Sequence, residues 1–188
     1  MIERSPERDA AIVAILPHIP EIGWTRAART GDNDLLFPGG AIDLIEAWSD
    51  LADRDMEQDA ATIEEPRLSR RVRAILAQRL HRQHPHRDAL RRALGLLALP
   101  QNARVAASCT ARTVDTIWHA AGDTSADFSW YTKRALLTGV YTTTVLTWLR
   151  DDSEDSLPTL DFLDRRLQDV AVIGKIIQRV KTRLGANG

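Results

Sequence analysis

The 188-residue chain holds a single cysteine, Cys109, and its lysines are only Lys133, Lys175 and Lys181. Aromatic residues make up 5% of it. One cysteine excludes an intrachain disulfide and a thiolate metal cage, and it fits a reducing compartment. No apolar run approaches the roughly 18 residues that suggest a membrane span. The opening Met1-Ile2-Glu3-Arg4-Ser5-Pro6 carries neither a basic flank with an apolar run nor an acid-free, Arg/Ser-rich leader, so neither a secretion nor a transit signal is expected. Motifs of common enzymes are also missing. Gly39-Gly40 lacks the following Lys-Ser/Thr and the preceding strand of a phosphate loop. There is no Gly-x-Ser-x-Gly elbow and no Glu-x-x-His pair, so a di-iron carboxylate bundle is not encoded. Basic and acidic side chains number 25 and 26, for a net charge of −1, which argues against a dedicated nucleic-acid binder.

What is present reads as helix. With 44% apolar and 27% charged residues, the chain has the composition of a folded domain. Arginine dominates over lysine and alanine is frequent. Both suggest a GC-rich bacterial coding sequence, and with the single cysteine and the opening residues a cytoplasmic location is expected. Ser5-Pro6 predicts a capped helix start, with Pro17 and Pro20 as stops. Helical segments follow over about 24–30, 41–56, 67–83, 87–99, 105–121, a stretch capped by Ser125 and running to about 150, and a last one from 156 or 159 to about 184. In the third segment Ile42, Ile45, Trp48, Leu51 and Ala52 share one face. Val140 to Val145 is β-branched but is read as helix, because helical spacing continues on both sides. The expected fold is all-α: a single-domain bundle of about nine helices. Its first part, 1–60, is helix-turn-helix-like, and 61–188 forms the bundle proper.

Charge is balanced in total but not along the chain. Residues 21–66 hold 12 acids against 3 bases, and 67–92 hold 9 arginines against one acid. Residues 151–170 hold 7 acids against 2 bases, and 171–188 hold 4 bases and no acid. The arginine-rich segment is either the solvated face of an amphipathic helix or a docking face for an acidic partner or anionic headgroups. The basic end, 171–184, fits an interfacial membrane helix and equally a core or dimer helix with a wet back.

Discrete chemistry is sparse. His81, His84 and His86 form the one histidine cluster, but Pro85 interrupts the helix and arginines would repel a cation, so a solvated helix end is expected. His119 is expected to cap or to take a buried hydrogen bond, and Cys109 to be inert packing among small residues. Helix, short helix, turn and short helix at an N-terminus have the layout of a TetR-type DNA reader. The third helix, however, falls on Asp32-Asn33-Asp34-Leu35-Leu36-Phe37-Pro38-Gly39-Gly40, with two acids and no base to meet phosphate. The most unusual segment puts Trp118, Phe128, Trp130 and Tyr131 within 14 residues at a helix–turn–helix corner. Trp130 and Tyr131 point about 100° apart on a helix, so one of them faces outward, as in a protein-binding hot spot. A buried aromatic corner is the alternative.

Those residues also carry a resemblance. Leu99-Pro100-Gln101-Asn102, then the run from Ile117 and Trp118-His119-Ala120-Ala121-Gly122-Asp123 through Asp127-Phe128-Ser129-Trp130-Tyr131-Thr132-Lys133-Arg134, and then Phe162-Leu163-Asp164-Arg165-Arg166-Leu167, resemble the Coq-nine family. Its members are accessory proteins of ubiquinone biosynthesis. Leu36-Phe37-Pro38-Gly39-Gly40-Ala41 resembles the bacterial members, and the likeness covers nearly the whole chain. The resemblance implies a TetR-like fold without DNA reading, a homodimer built through C-terminal helices, and no enzymatic activity or cofactor of its own. It implies binding of isoprenoid or quinone lipids, presentation of a precursor to a di-iron hydroxylase, and transient contact with the membrane surface. By position it assigns hydroxylase docking to Asp127, Trp130, Tyr131 and Arg134, with Ile117 and Leu80 beside them. Eukaryotic members carry a further C-terminal amphipathic helix, whereas this sequence ends at Gly188. Lipid binding requires an apolar cavity, and the most apolar helices offer Leu96, Leu97, Leu99, Trp118, Leu136, Leu137, Val140 and Tyr141. The alternatives are a TetR-like ligand-responsive transcriptional regulator and an interaction scaffold with no cavity.

Overall fold

The computed structural model describes residues 2–123 and 129–170, and of 129 and 130 the backbone only. The expected cap at Ser125 and the basic segment 171–184 lie outside the described residues. Among the described residues every regular element is helical and no strand occurs.

Helix α1 spans Pro6–Ile15, with the Ser5 hydroxyl accepting from the Arg8 N–H at 3.2 Å. Helix α1 ends beside Pro17, as expected above, and Pro17 and Pro20 also serve the segments that follow. They lie in the first turns of the 3-10 segment Leu16–His18 and of α2, Ile19–Ala27, where a missing N–H costs nothing. Gly23, at φ +72°, kinks α2. The connector expected at 32–40 contains one helical turn, α3, Asn33–Leu36. Buried Arg8 fixes it by donating to the Leu36 carbonyl and, at 2.7 Å, to Asp43, with its guanidinium 4.5 Å from the Phe37 ring centre. Helix α4, Ala41–Ala60, runs four residues past the expected end. Then come α5, Leu68–Gln83; the 3-10 turn His84–His86; and α6, Arg87–Leu97. Helix α7, Ala103–Ala120, is stopped as expected at Gly122, which adopts φ +83°. Helix α8, Ser129–Trp148, contains the β-branched centre, and its threonines 138, 143 and 147 donate back to carbonyls one turn earlier. Helix α9 begins at 157 and is described to 170.

Two apolar clusters form most of the core. One joins α1, α2, the first half of α4 and α6 through Ile12, Ile19, Trp24, Leu44, Trp48 and Ala89. The Trp24 and Trp48 rings lie 5.2 Å apart, and the Trp24 indole N–H donates to the Ala89 carbonyl at 2.9 Å. The other joins the end of α4 to α5, α7, α8 and α9 through Met56, Ile75, Leu76, Ile117, Leu137 and Leu163. Helix α4 therefore belongs to both clusters, and residue 60, the expected boundary, is its last residue.

The acids of α4 are where sequence reading falls short. Asp50, opposite the predicted apolar face, and Asp53, at its edge below Ile42, are 1% and 2% exposed. Arg4 grips Asp50 with two hydrogen bonds, 2.9 and 2.7 Å long. Arg54 links Asp50 (3.1 Å) to Asp9 (2.9 and 2.7 Å). Arg79 pairs with Asp53 at 2.8 Å and donates to the Ala52 carbonyl at 2.9 Å. Arg112 lies between both acids, 3.8 Å from Asp50 and 3.5 Å from Asp53. Burial pushes the Asp50 carboxyl up, but the hydrogen bonds from Arg4 and Arg54 outweigh it and leave it below the usual range. For Asp53 burial wins over Arg79 and Thr113, and its carboxyl lies above the usual range.

Of the arginines of 67–92, Arg79 and Arg82 take partners from the acidic block 21–66. Arg82 pairs with Asp55 (3.3 Å) and Asp59 (2.9 Å), Arg73 reaches Asp164 (2.9 Å), and Arg71, Arg87, Arg91 and Arg92 donate to backbone carbonyls. Arg67, Arg70, Arg82, Arg91 and Arg92 are exposed, as expected of a solvated face, whereas Arg79 is buried inside the fold.

Two consequences are measurable. Arg79→Ala leaves Asp53 buried without its closest counter-charge and is expected to cost about 3–5 kcal/mol in urea unfolding, whereas Arg79→Met combined with Asp53→Leu restores most of it. A double variant no more stable than Arg79→Ala contradicts this. At the head of α9, Asp151 accepts from the backbone N–H groups of Thr159 (3.0 Å) and Ser153 (3.1 Å). Burial raises its pKa, but hydrogen bonds from Ser153 and Thr159 bring it from 3.8 down to about 2. A depressed carboxylate contributes stability that is complete above the unfolded pKa and is lost as pH falls through the folded one. Asp151→Asn is therefore expected to lower stability at pH 6 and to flatten the acid loss between about pH 4 and 2, read as urea midpoints.

Candidate functional site

Helices α4 to α8 enclose a chamber of about 140 Å³. Its apolar walls come from Ile45 and Trp48 on α4, Leu90, Ala93, Leu94 and Leu97 on α6, and Val145 and Leu146 on α8. The α6 residues recur at three- and four-residue steps, which sets them on one face. The void exists because α7 presents only Ala106, Cys109, Thr110 and Thr113 to it. Such small side chains do not fill the space that Leu or Phe would close.

The inner end is polar. Arg79, itself buried, lies there with its guanidinium 5.9 Å from the Tyr141 ring centre. Thr113 donates to Asp53 at 2.8 Å, so the Arg79–Asp53 pair is satisfied from α7 as well. Behind this end lies a second chamber of about 340 Å³, between α1, α4 and α5. The two share Trp48, Arg79 and Gln83 as a common wall. At the opposite end Leu146, 49% exposed, and Thr142 form the outer edge of the first chamber.

Of the residues expected to bind lipid, Leu97 and Tyr141 line the first chamber. Leu96 packs against the N-terminal cluster, and Leu137 and Val140 are buried in the second, where Trp118 also packs. Leu136 is half-buried and Leu99 is exposed. Sequence reading missed Arg79, Gln83, Cys109 and Thr113. The one available signal was the spacing of small residues on α7, together with an arginine at a buried heptad-like position of α5.

The docking residues divide similarly. Asp127 and the side chain of Trp130 lie outside the described residues. Tyr131 is 69% exposed, and Arg134 pairs with Asp115 of α7. Next to them Lys133 pairs with Asp123 at 2.8 Å. Ile117 and Leu80 are 0% and 5% exposed. They are core residues, and in this conformation they have no surface to offer a partner.

The histidines are placed differently from one another. His84 meets Trp148 edge-on at 6.5 Å, and His119 is exposed beside Glu57 at 3.6 Å, which corrects the expected cap or buried hydrogen bond. No group of metal-binding side chains occurs among the described residues. Among the same residues no helix is long and apolar enough to cross a membrane.

Comparison with known proteins adds a family. The COQ9 family profile matches residues 103–174. The chain is 32% identical over 185 residues to the mitochondrial ubiquinone biosynthesis protein COQ9-A of Xenopus laevis, covering 89% of this chain and 58% of that protein. It is 32% identical over 189 residues to COQ9 of Rattus norvegicus (91% and 61%) and 31% over 173 residues to coq9 of Schizosaccharomyces pombe (86% and 68%). The chain thus spans about three fifths of the length of the Xenopus and rat relatives.

Cys109 reports on the chamber. Burial pushes its thiol up, so alkylation by iodoacetamide is expected to be roughly tenfold or more slower in the folded protein than in urea. Ala106→Phe, which fills the chamber, is expected to slow it further. Equal rates in the folded wild type and in urea contradict an enclosed site.

Proposed function

The chain belongs to the COQ9 family of ubiquinone biosynthesis proteins, and from that footing we propose that it is a non-enzymatic carrier of isoprenoid or quinone lipids. It shelters the apolar part of a ubiquinone precursor and presents the precursor to a di-iron hydroxylase. The observation that carries this reading is the chamber among α4 to α8. Its volume is close to the ~150 Å³ of an apolar cavity that takes up benzene. In this conformation it therefore accommodates one ring or one branched five-carbon unit. A longer chain continues past Thr142 and Leu146, where the wall is already half open. Removing such a chain from water is favourable by about 25 cal/mol per Å² of apolar surface, so each enclosed unit adds to affinity.

The hydroxylase-facing surface is the α7–α8 corner, with exposed Tyr131, Arg134 and, by sequence, Asp127 and Trp130. An exposed aromatic flanked by paired charges is the composition of a binding hot spot. The order of three short N-terminal helices before long bundle helices supports a TetR-like reading of the fold, with pairing of two copies through C-terminal helices. The four-residue α3, bearing Asp34, offers phosphate no basic helix, which disfavours the regulator reading. For a bacterial member, the carrier works in the cytoplasm and contacts the inner membrane transiently to load.

Organic extraction of the purified protein followed by mass spectrometry is expected to yield an isoprenoid, a quinone or a phospholipid in near-stoichiometric amount. Repeated absence of all three contradicts the carrier reading. Trp130→Lys and Tyr131→Lys are each expected to abolish co-purification of the hydroxylase while far-ultraviolet circular dichroism stays unchanged. Undiminished pull-down removes this corner from the interface.

A further inference from the structure

Arg112 stands apart from the other arginines around Asp50 and Asp53. Arg4, Arg54 and Arg79 each hold a carboxylate at 2.7 or 2.8 Å. Arg112 faces three acids, Glu46, Asp50 and Asp53, yet its contacts with them are 3.7, 3.8 and 3.5 Å long. Its Nε is buried and has no hydrogen-bond partner. A buried donor left unmet costs stability, so this position is weakly held. Thr113, which donates to Asp53 at 2.8 Å, ties α7 to α4 whether or not Arg112 is in place.

Beneath that guanidinium lies the chamber wall. Its Nη2 is 3.5 Å from the Cys109 sulfur and 3.5 Å from the Glu46 carbonyl, so the group bridges α7 and α4 over Cys109. Arg112 and Glu46 are partly exposed. Cys109 is buried and lines the chamber together with Ser49 of α4. One weakly held side chain therefore separates solvent from the chamber wall on the α4–α7 side. The mouth at Thr142 and Leu146 belongs to another helix, α8.

We infer that Arg112 is a gate over a second opening of the chamber, polar and lined by acids, between α4 and α7. Swung outward to Glu46, the guanidinium uncovers Cys109 and leaves Asp50 and Asp53 beside the gap. Such an opening passes water. It repels phosphate and carboxylate groups, and an apolar chain gains nothing among carboxylates. The use of the gate rests on the carrier reading. A chain entering by the mouth displaces water from the polar inner end, where Thr113 lies one turn beyond Cys109, and the gate gives that water a way out.

Cys109 reads the gate directly. Its modification by cationic and by anionic ethyl methanethiosulfonates is timed in the wild type, Arg112→Ala, Ala106→Phe and the double variant. With the cationic reagent Arg112→Ala is expected to react about tenfold faster than the wild type, and with the anionic one the gain is smaller, because the uncovered acids steer by charge. Arg112 favours the thiolate of Cys109, so its loss cannot speed the reaction through a more acidic thiol. Ala106→Phe is expected to leave the gain in place, since it fills the chamber and not the gate. An Arg112→Ala rate equal to that of the wild type, or a double variant as slow as Ala106→Phe alone, overturns the gate. A rate in Arg112→Ala that climbs from the first addition of urea reports a loosened fold and overturns it too. If the gain appears as expected but organic extraction yields no lipid, the opening stands, and the carrier reading falls together with the use assigned to the gate.

Discussion

Two buried carboxylates on α4 set the terms for the rest of the structure. An ionised carboxylate taken out of water costs several kcal/mol unless it is matched by charge and hydrogen bonds. Asp50 and Asp53 are matched from four directions: Arg4 before α1, Arg54 on α4 itself, Arg79 on α5 and Arg112 on α7. The central helix can therefore be buried on its polar side as well as its apolar one. Its position relative to α5 and α7 is fixed by discrete ion pairs, where apolar contact alone would allow sliding.

That fixation has a consequence for the interior. With α5 held to α4 through Arg79, and α7 held through Arg112 and Thr113, the small side chains of α7 cannot collapse onto α4. Cys109, Thr110 and Ala106 stay at a distance that α6 and α8 do not fill, and a chamber results. Its polar end is the same Arg79 that secures the network. Chamber wall and structural lock thus share one residue, which ties the shape of the chamber to the packing of three helices.

Much of this was legible in the sequence, though unevenly. Helix positions followed from Ser5-Pro6, from Gly122 and from apolar spacing, and the β-branched centre of α8 proved helical because its threonines hydrogen-bond within their own helix. Pro17 marked the end of α1, but local sequence did not say that Pro17 and Pro20 also open the next helical segments, since proline suits a first turn as well as a stop. The alternating charge blocks were visible, but their pairing was not. Whether Arg79 faces water or Asp53 depends on which helices become neighbours, a tertiary fact. The pocket residues were guessed from the most apolar positions, and those mostly form core. A cavity arises where side chains are small and polar groups are paired, so hydrophobicity alone points away from it. The family likeness was legible because the Trp118–Arg134 run is long and specific.

A lipid carrier of this fold holds its cargo in the interior of the bundle. The most direct measurement is photolabelling with a diazirine-bearing isoprenoid, with the crosslinked peptides located by mass spectrometry. Labelling concentrated on α6, α7 and α8 at Leu97, Cys109, Thr113 and Tyr141, and blocked by Ala106→Phe, is the predicted result. Labelling confined to surface residues such as Tyr131 and Leu157, unaffected by filling the chamber, would contradict it.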